Sequence, residues 1–594
     1  MPQAPARLHE LLMSSVREIA TNPNLGDPTI ETTQPPAACL EGAAAIAGPW
    51  RHRTLFRLAC TLFIFLAMLA VVEGALRVAH VGFPTALTEP CTVHSQPASC
   101  YNLFFVAPFF PPGMIKTPQV YSIPATKPPG TYRIMVLGES AAMGDPDPAY
   151  AFSRYLEVML RARYPETNFE VVNTGSVAIN SHVTLPIAEG LARFQPDVFI
   201  LYSGNNEVVG PYGPGTALTS SAMSLPVIRA SIFVHSTRIG QLLTQLGAQK
   251  REWGGMEMFL GKQVPATSPL LKHTYGNFES NLRDTIAVGR RAGARVIVST
   301  VATNLKDCAP FASLHRAGLS EPDLKSWSSL VEQGAAQENA RAYSDALSLY
   351  LSALKIDDQY AELEFRIARS LWMLGDHAAA KPHFQRARDL DTLRFRADSR
   401  INELNRSVAA QMKDAELVDA DAIFSQASPN GVTGSELVYE HVHLTPEGNY
   451  LLAKSMFLQI ASKLPAQAGR PVLADDVLSQ VECERRLAFT NQDRSRIAGE
   501  MLERLQRAPF TNQINHVDQV LKLAIQANAS LETPPQTAAE YAWAIGQRPN
   551  DRLLHYNYGL FLFHYNRLAA AEQLKMAQPW DGFPVFAPDG AQLE

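Results

Sequence analysis

Between Tyr132 and Thr300 the chain alternates short apolar runs with amphipathic stretches, and this alternation restricts its fold more than any other feature. Residues 133–137, 169–173, 198–202 and 295–300 read as strands, because a few apolar residues bounded by turn residues form a buried strand. Helical periodicity at 150–163, 183–194 and 276–292 separates them. A regular strand–helix alternation implies a parallel sheet covered on both faces, so the expected class is α/β. A fifth strand is expected at 417–421, followed by an amphipathic helix at 446–464.

Between the fourth and fifth strands the pattern changes. Residues 327–394 repeat at 34 positions: Gly334 with Ala368, Ala346 with Ala380, Tyr350 with Phe384, Ala353 with Ala387, Asp357 with Asp391. Thirty-four is the tetratricopeptide period, in which small residues let paired helices approach closely. Ala570, Leu574 and Ala577 indicate a further repeat-like hairpin near the carboxyl end. An insert that follows a strand's carboxyl end lies on the side where open α/β sheets carry their sites. The expected layout is an α/β domain over 131–305 and 410–465, a helical insert over 306–409, and a carboxyl-terminal helical region over 472–594.

The amino-terminal segment reads differently. Residues 1–50 mix Pro, Ala, Gly and Thr, without sustained periodicity after about the first fifteen, and are expected to be mostly disordered. A membrane anchor is expected over 54–80, built on the uncharged run 58–72 and flanked by Arg57 and Arg77, which can snorkel; the alternative for a run of that length is a signal-peptide core. Arg51, Arg53 and Arg57 on its amino side place the amino terminus in the cytoplasm and the remainder outside it. Residues 81–130, rich in Pro and aromatics, read as a linker lying on the next domain. There Cys91 and Cys100 suit a small disulfide loop in an oxidising compartment; Cys308 and Cys483 are a second conceivable pair. A net charge of −5 without a long basic run argues against a nucleic-acid partner.

Four polar clusters fall at strand ends: Gly138-Glu139-Ser140, the run from Asn173 to Ser181, Gly204-Asn205-Asn206-Glu207, and Glu440-His441-Val442-His443. Each has an ordinary structural reading. Ser140 before a helix suits an N-cap, Asn and Gly suit turns, and Thr445-Pro446 suits a helix start. Together they hold the parts of an acyl-transfer site: a nucleophile (Ser140), a base (His443) and an orienting carboxylate (Glu440). Asn206 and the N–H groups of Ser140 and Ala178 would serve as oxyanion donors. An α/β-hydrolase elbow is excluded, because Ala142 stands where its second glycine belongs. His441 and His443 alternate as metal ligands on a strand can, but no third ligand stands at a matching spacing, so neither metal nor organic cofactor is expected. Arg394 and Arg396 read as solvated helix residues, with an anionic substrate as the alternative, and His182 is a further candidate for the pocket wall.

In this order the four blocks resemble those of the SGNH (GDSL-like) hydrolases, in particular a membrane-anchored branch carrying tetratricopeptide repeats. The resemblance covers roughly 131–305 and 410–465 and implies a flavodoxin-like three-layer sandwich. It maps the nucleophile to Ser140, the oxyanion asparagine to Asn206, and the orienting acid and base to Glu440 and His443. Glutamate replaces the usual aspartate at 139, 207 and 440, and Ala178 takes the place of the second block's glycine. The implied protein is an extracytoplasmic serine esterase acting on an ester-bearing glycan or lipid, with O-acetyl groups of envelope polysaccharide as the first candidate. The alternatives are an acyltransferase, or a catalytically degenerate scaffold whose repeats bind a partner protein. A reporter fused after residue 130 should signal outside the cytoplasm, and a cytoplasmic signal would reverse the orientation.

Overall fold

The structure of the protein is a computed structural model that describes residues 50–114, 119–219, 224–247, 252–465, 477–528, 532–586 and 592–593. The stretch expected to be disordered lies, apart from residue 50, outside the described residues. The chain divides at residue 70 into two units. In the first, residues 50–70 belong to the helix Trp50–Val78, whose stretch Arg53–Val78 is long and apolar enough to cross a membrane.

In the second unit, the segment expected to be a linker is folded. Strands β1 (Thr88–Val93), β2 (Gln96–Tyr101) and β3 (Ser122–Pro124) form an antiparallel sheet, and Cys91 and Cys100 are joined as a disulfide. Phe105, Phe109 and Tyr121 bury their rings in the main core, which explains the aromatic content that looked linker-like. Cys308 and Cys483 are both free thiols, each buried at its own site, so the second disulfide does not form.

The centre is a five-stranded parallel sheet of β4 (Thr131–Gly138), β5 (Asn168–Asn173), β6 (Val198–Tyr202), β7 (Arg295–Ser299) and β8 (Ala415–Val418). Its spatial order is β5-β4-β6-β7-β8. The first strand of this set lies between the second and third, the flavodoxin-like order, so the sheet's direction of growth reverses between β4 and β6. Helices Phe152–Arg163 and Pro446–Ala461 pack together on one side, and Ser181–Leu191, Leu270–Arg291 and Ser399–Gln411 on the other. Every residue of β4 and β6 is buried, as strands covered on both faces must be. The fold class is the α/β sandwich expected from the alternation.

Two details differ from expectation. The last strand ends at Val418 because Asp419 caps the next helix, accepting from the Ala422 N–H at 3.3 Å. Helix Ser399–Gln411, assigned to the insert, packs instead on β7, β8 and helix Leu270–Arg291 as the crossover of the sandwich. The remaining insert is two helical hairpins, Glu321–Asn339 with Tyr343–Leu354 and Ala361–Met373 with His377–Leu390. The repeating positions Ala346, Tyr350, Ala353, Ala380, Phe384 and Ala387 are all buried between them.

Gly138 closes β4 opposite Tyr202 of β6, with no room for a side chain. A Cβ there would lie 2.1 Å from the Tyr202 carbonyl oxygen. Gly138→Ala must therefore push the strands apart and should cost about 1–3 kcal/mol, the range of overpacked cores, read as a lower urea midpoint.

Candidate active site

Ser140 is the first residue of the one-turn helix Ser140–Met143, so Glu139, not Ser140, stands at the N-cap position. The cap reading of Ser140 therefore fails: its hydroxyl is directed elsewhere. Glu139 binds the next block. Its carboxylate accepts from the Gly204 N–H at 3.0 Å, the Asn205 N–H at 2.8 Å and the Ser203 hydroxyl at 3.2 Å. Glu207 does the same one block further, accepting from the Ser181 N–H and hydroxyl, both at 2.8 Å. Glu139 and Glu207 thus tie strand-end loops together.

The Asn173 side chain fixes the second block, donating to the Ala142 carbonyl at 2.8 Å and the Ser153 hydroxyl at 3.0 Å. Ala178 follows in the left-handed region at φ 60°. That conformation costs an L-residue roughly 1–2 kcal/mol and is where glycine is normally found. Asn206 Nδ2 donates to the Ile179 carbonyl at 3.0 Å, locking the third block to the second.

The last block turns on itself: the Tyr439 N–H donates to the His443 carbonyl at 2.8 Å, and Val438 bridges Leu444. Glu440 is inside that turn and fully buried. One of its oxygens accepts from the N–H groups of His441, Val442 (2.9 Å) and His443 (3.4 Å), and the other pairs with His443 Nδ1. Burial raises the Glu440 carboxyl, but the His441 and His443 imidazoles and their hydrogen bonds outweigh it and hold the group well below the usual carboxylate range. With Glu440 on Nδ1, His443 Nε2 faces Ser140 Oγ at 2.9 Å. Glu440, His443 and Ser140 form one hydrogen-bonded chain.

Ser140, His443, Asn206 and Ala178 line one cavity of about 380 Å³. The five residues read from the sequence are therefore brought together. Two others were not foreseen. Asp145 Oδ2 lies 3.1 Å from His443 Nε2, and Arg504 donates to Asp145 at 2.6 Å while lying 3.4 Å from Glu440 and 3.1 Å from His443 Nδ1. Burial opposes ionisation of Asp145, yet His443 and Arg504 prevail and lower it. Asp145 sits in a Gly-Asp-Pro turn and Arg504 on the distant helix Asn491–Leu505, so neither carries a local signal of its place.

Other readings need correcting. His182 is buried against Asn281 at 3.0 Å and is absent from the cavity wall. Arg394 and Arg396 are not solvated but buried, paired with Asp398 at 2.9 Å and Asp391 at 3.0 Å. A third potential metal ligand does exist beside the two histidines, since donor atoms of Glu440, His441 and His443 lie within 4.8 Å of one another. The Arg504 guanidinium stands against the same atoms, and its charge opposes a cation there.

The sequence matches no protein-family model and no curated protein. Among solved structures, the chain is similar to an acetylxylan esterase from Geobacillus stearothermophilus, at 11% identity, 55% of this chain, 94% of that chain and a TM-score of 0.25. It is also similar to a lipase/acylhydrolase from Enterococcus faecalis, at 10% identity, 56% and 96% coverage and a TM-score of 0.26. A GDSL-like lipase from Bacteroides thetaiotaomicron gives 11% identity, 56% and 89% coverage and a TM-score of 0.25. At such values the reading of the site rests on its own geometry.

Burial, and for Glu139 the facing Glu207, push the carboxyls up to about 8 (Glu139) and about 7 (Glu207). A raised acid holds its proton in the folded chain where the unfolded chain has lost it. Its stabilisation is thus complete below the ordinary carboxyl range and lost as pH rises through the folded value. The urea midpoint should fall between about pH 5 and pH 8.5, and Glu139→Gln should flatten that fall.

Proposed function

We propose that the protein is a serine hydrolase of the SGNH type that cleaves or transfers an ester-linked acyl group. The Glu440–His443–Ser140 chain opening into a cavity carries this reading. In this mechanism Ser140 Oγ attacks the ester carbonyl as His443 Nε2 takes its proton, and Glu440 stabilises the imidazolium from the Nδ1 side. Asp145 faces Nε2 and accepts from it once the ring is charged, while Arg504 offsets the two adjacent carboxylates. The tetrahedral oxyanion is held by Asn206 and the N–H groups of Ser140 and Ala178, each donor contributing about 3 kcal/mol. Its collapse expels the alcohol, protonated by His443, and leaves the acyl group on Ser140. Water, or an acceptor hydroxyl deprotonated by His443, then attacks the acyl-serine and regenerates the hydroxyl.

O-acetyl groups of an envelope polysaccharide are the first candidate substrate. Lipid esters are the second, favoured by the apolar lining of Trp253, Met256, Phe259, Phe395 and Phe510, which offers more room than an acetyl group needs. The glutamates at 139, 207 and 440 all have hydrogen-bond partners, which favours a working variant over a degenerate scaffold. The proposal also includes a single-pass anchor at 54–80 with the catalytic domain outside the cytoplasm. The hairpins at 321–390 are assigned as tetratricopeptide repeats available to a protein partner.

A fluorophosphonate probe should label the full chain at Ser140, and Ser140→Ala and His443→Ala should each abolish labelling. An unlabelled wild-type chain would favour the scaffold instead. In a parallel ester series, preference for acetyl over octanoyl would select the polysaccharide reading.

A further inference from the structure

Helices Leu225–Ser236 and Arg238–Gly247 form a hairpin whose outer face has the wrong polarity for water. Ile228 and Gln241 are buried inward, whereas Val227, Phe233, Val234, Leu242, Leu243 and Leu246 are exposed, Phe233 and Leu246 by 71% and 78%. Surface helices normally turn charged residues outward. Residues 225–247 contain no Asp or Glu and two arginines, Arg229 and Arg238.

The hairpin sits at the exit end of the apolar helix. Glu73, the sole acidic residue within 53–78, accepts from the Arg238 and Ile239 N–H groups, both at 3.1 Å. It thereby satisfies unpaired donors at the start of the second hairpin helix. Just beyond, Gln241 exchanges hydrogen bonds with the Phe83 backbone at 2.9 and 3.1 Å, and the Thr85 hydroxyl donates to the Ser236 carbonyl at 3.3 Å. Glu73 lies five residues before Val78, a rise of about 7 Å along the helix. An amphipathic helix in a bilayer interface buries its apolar face to roughly 5–10 Å, so the depths coincide.

We propose that the 225–247 hairpin is an interfacial membrane-docking element, its exposed apolar face seated in the lipid acyl boundary beside the anchor. The proposal rests on residues 53–78 being a membrane span. It accounts for an acidic residue near the end of that span, for a hairpin without acids and for the exposed apolar face together.

The test uses the full chain in vesicles of phosphatidylethanolamine and phosphatidylglycerol in which some lipid carries a diazirine on its acyl chain. After irradiation, lipid adducts are mapped by peptide mass spectrometry. Adducts are expected in 225–246 as well as in 53–78. The Phe233→Asp/Leu246→Asp variant should lose the hairpin adducts while retaining those of the span and hydrolysis of a soluble ester. Adducts in the span but not in the wild-type hairpin would overturn docking and leave the anchor standing. Adducts in neither would overturn both.

Discussion

The candidate site depends on the burial of one carboxylate. Glu440 has no contact with solvent, and an isolated ionised carboxyl in that position would be prohibitively costly. Its compensation comes from three N–H groups of its own turn, from the His441 and His443 imidazoles and from Arg504. Each partner is thereby held in place by the charge it satisfies. The turn fixes the histidine, the histidine meets Ser140, and the guanidinium anchors a helix from the carboxyl-terminal region against the sandwich. Removing the Glu440 charge would loosen all three, so positioning and stability are one property here.

The same logic explains the glutamates that looked anomalous in sequence. Glu139 and Glu207 reach across to neighbouring loops, each saturating backbone donors that a shorter side chain would approach from a different distance. They join the ends of β4, β6 and helix Ser181–Leu191 into one frame around the cavity. Ala178 completes that frame in a conformation normally left to glycine.

The sheet was legible because parallel strands buried on both faces are unbroken apolar runs, and β6 reproduces its predicted limits at Val198–Tyr202. The polar blocks were legible because they stand at strand ends, where side chains of distant blocks converge. What escaped is what depends on partners far along the chain. Arg394 and Arg396 look soluble in isolation, but besides Asp398 and Asp391 they meet the distant carbonyls of Val264, Asn304 and Cys308. Cys308 and Cys483 look like a pair until their separate pockets are seen. Arg504 has no neighbour in sequence that hints at Asp145.

Ser140 and His443 are 303 residues apart, and the strand preceding His443 pairs with the sheet only after both inserted hairpins have been made. Contacts of such separation form late, because a long loop must close first. A chain emerging from the ribosome therefore carries Ser140 through 303 further residues of synthesis before His443 exists. Assembly of the Glu440–His443–Ser140 chain waits for the sheet's last edge, and Arg504 arrives later still. The Glu440–His443–Ser140 chain therefore cannot be complete before residue 443 has been made.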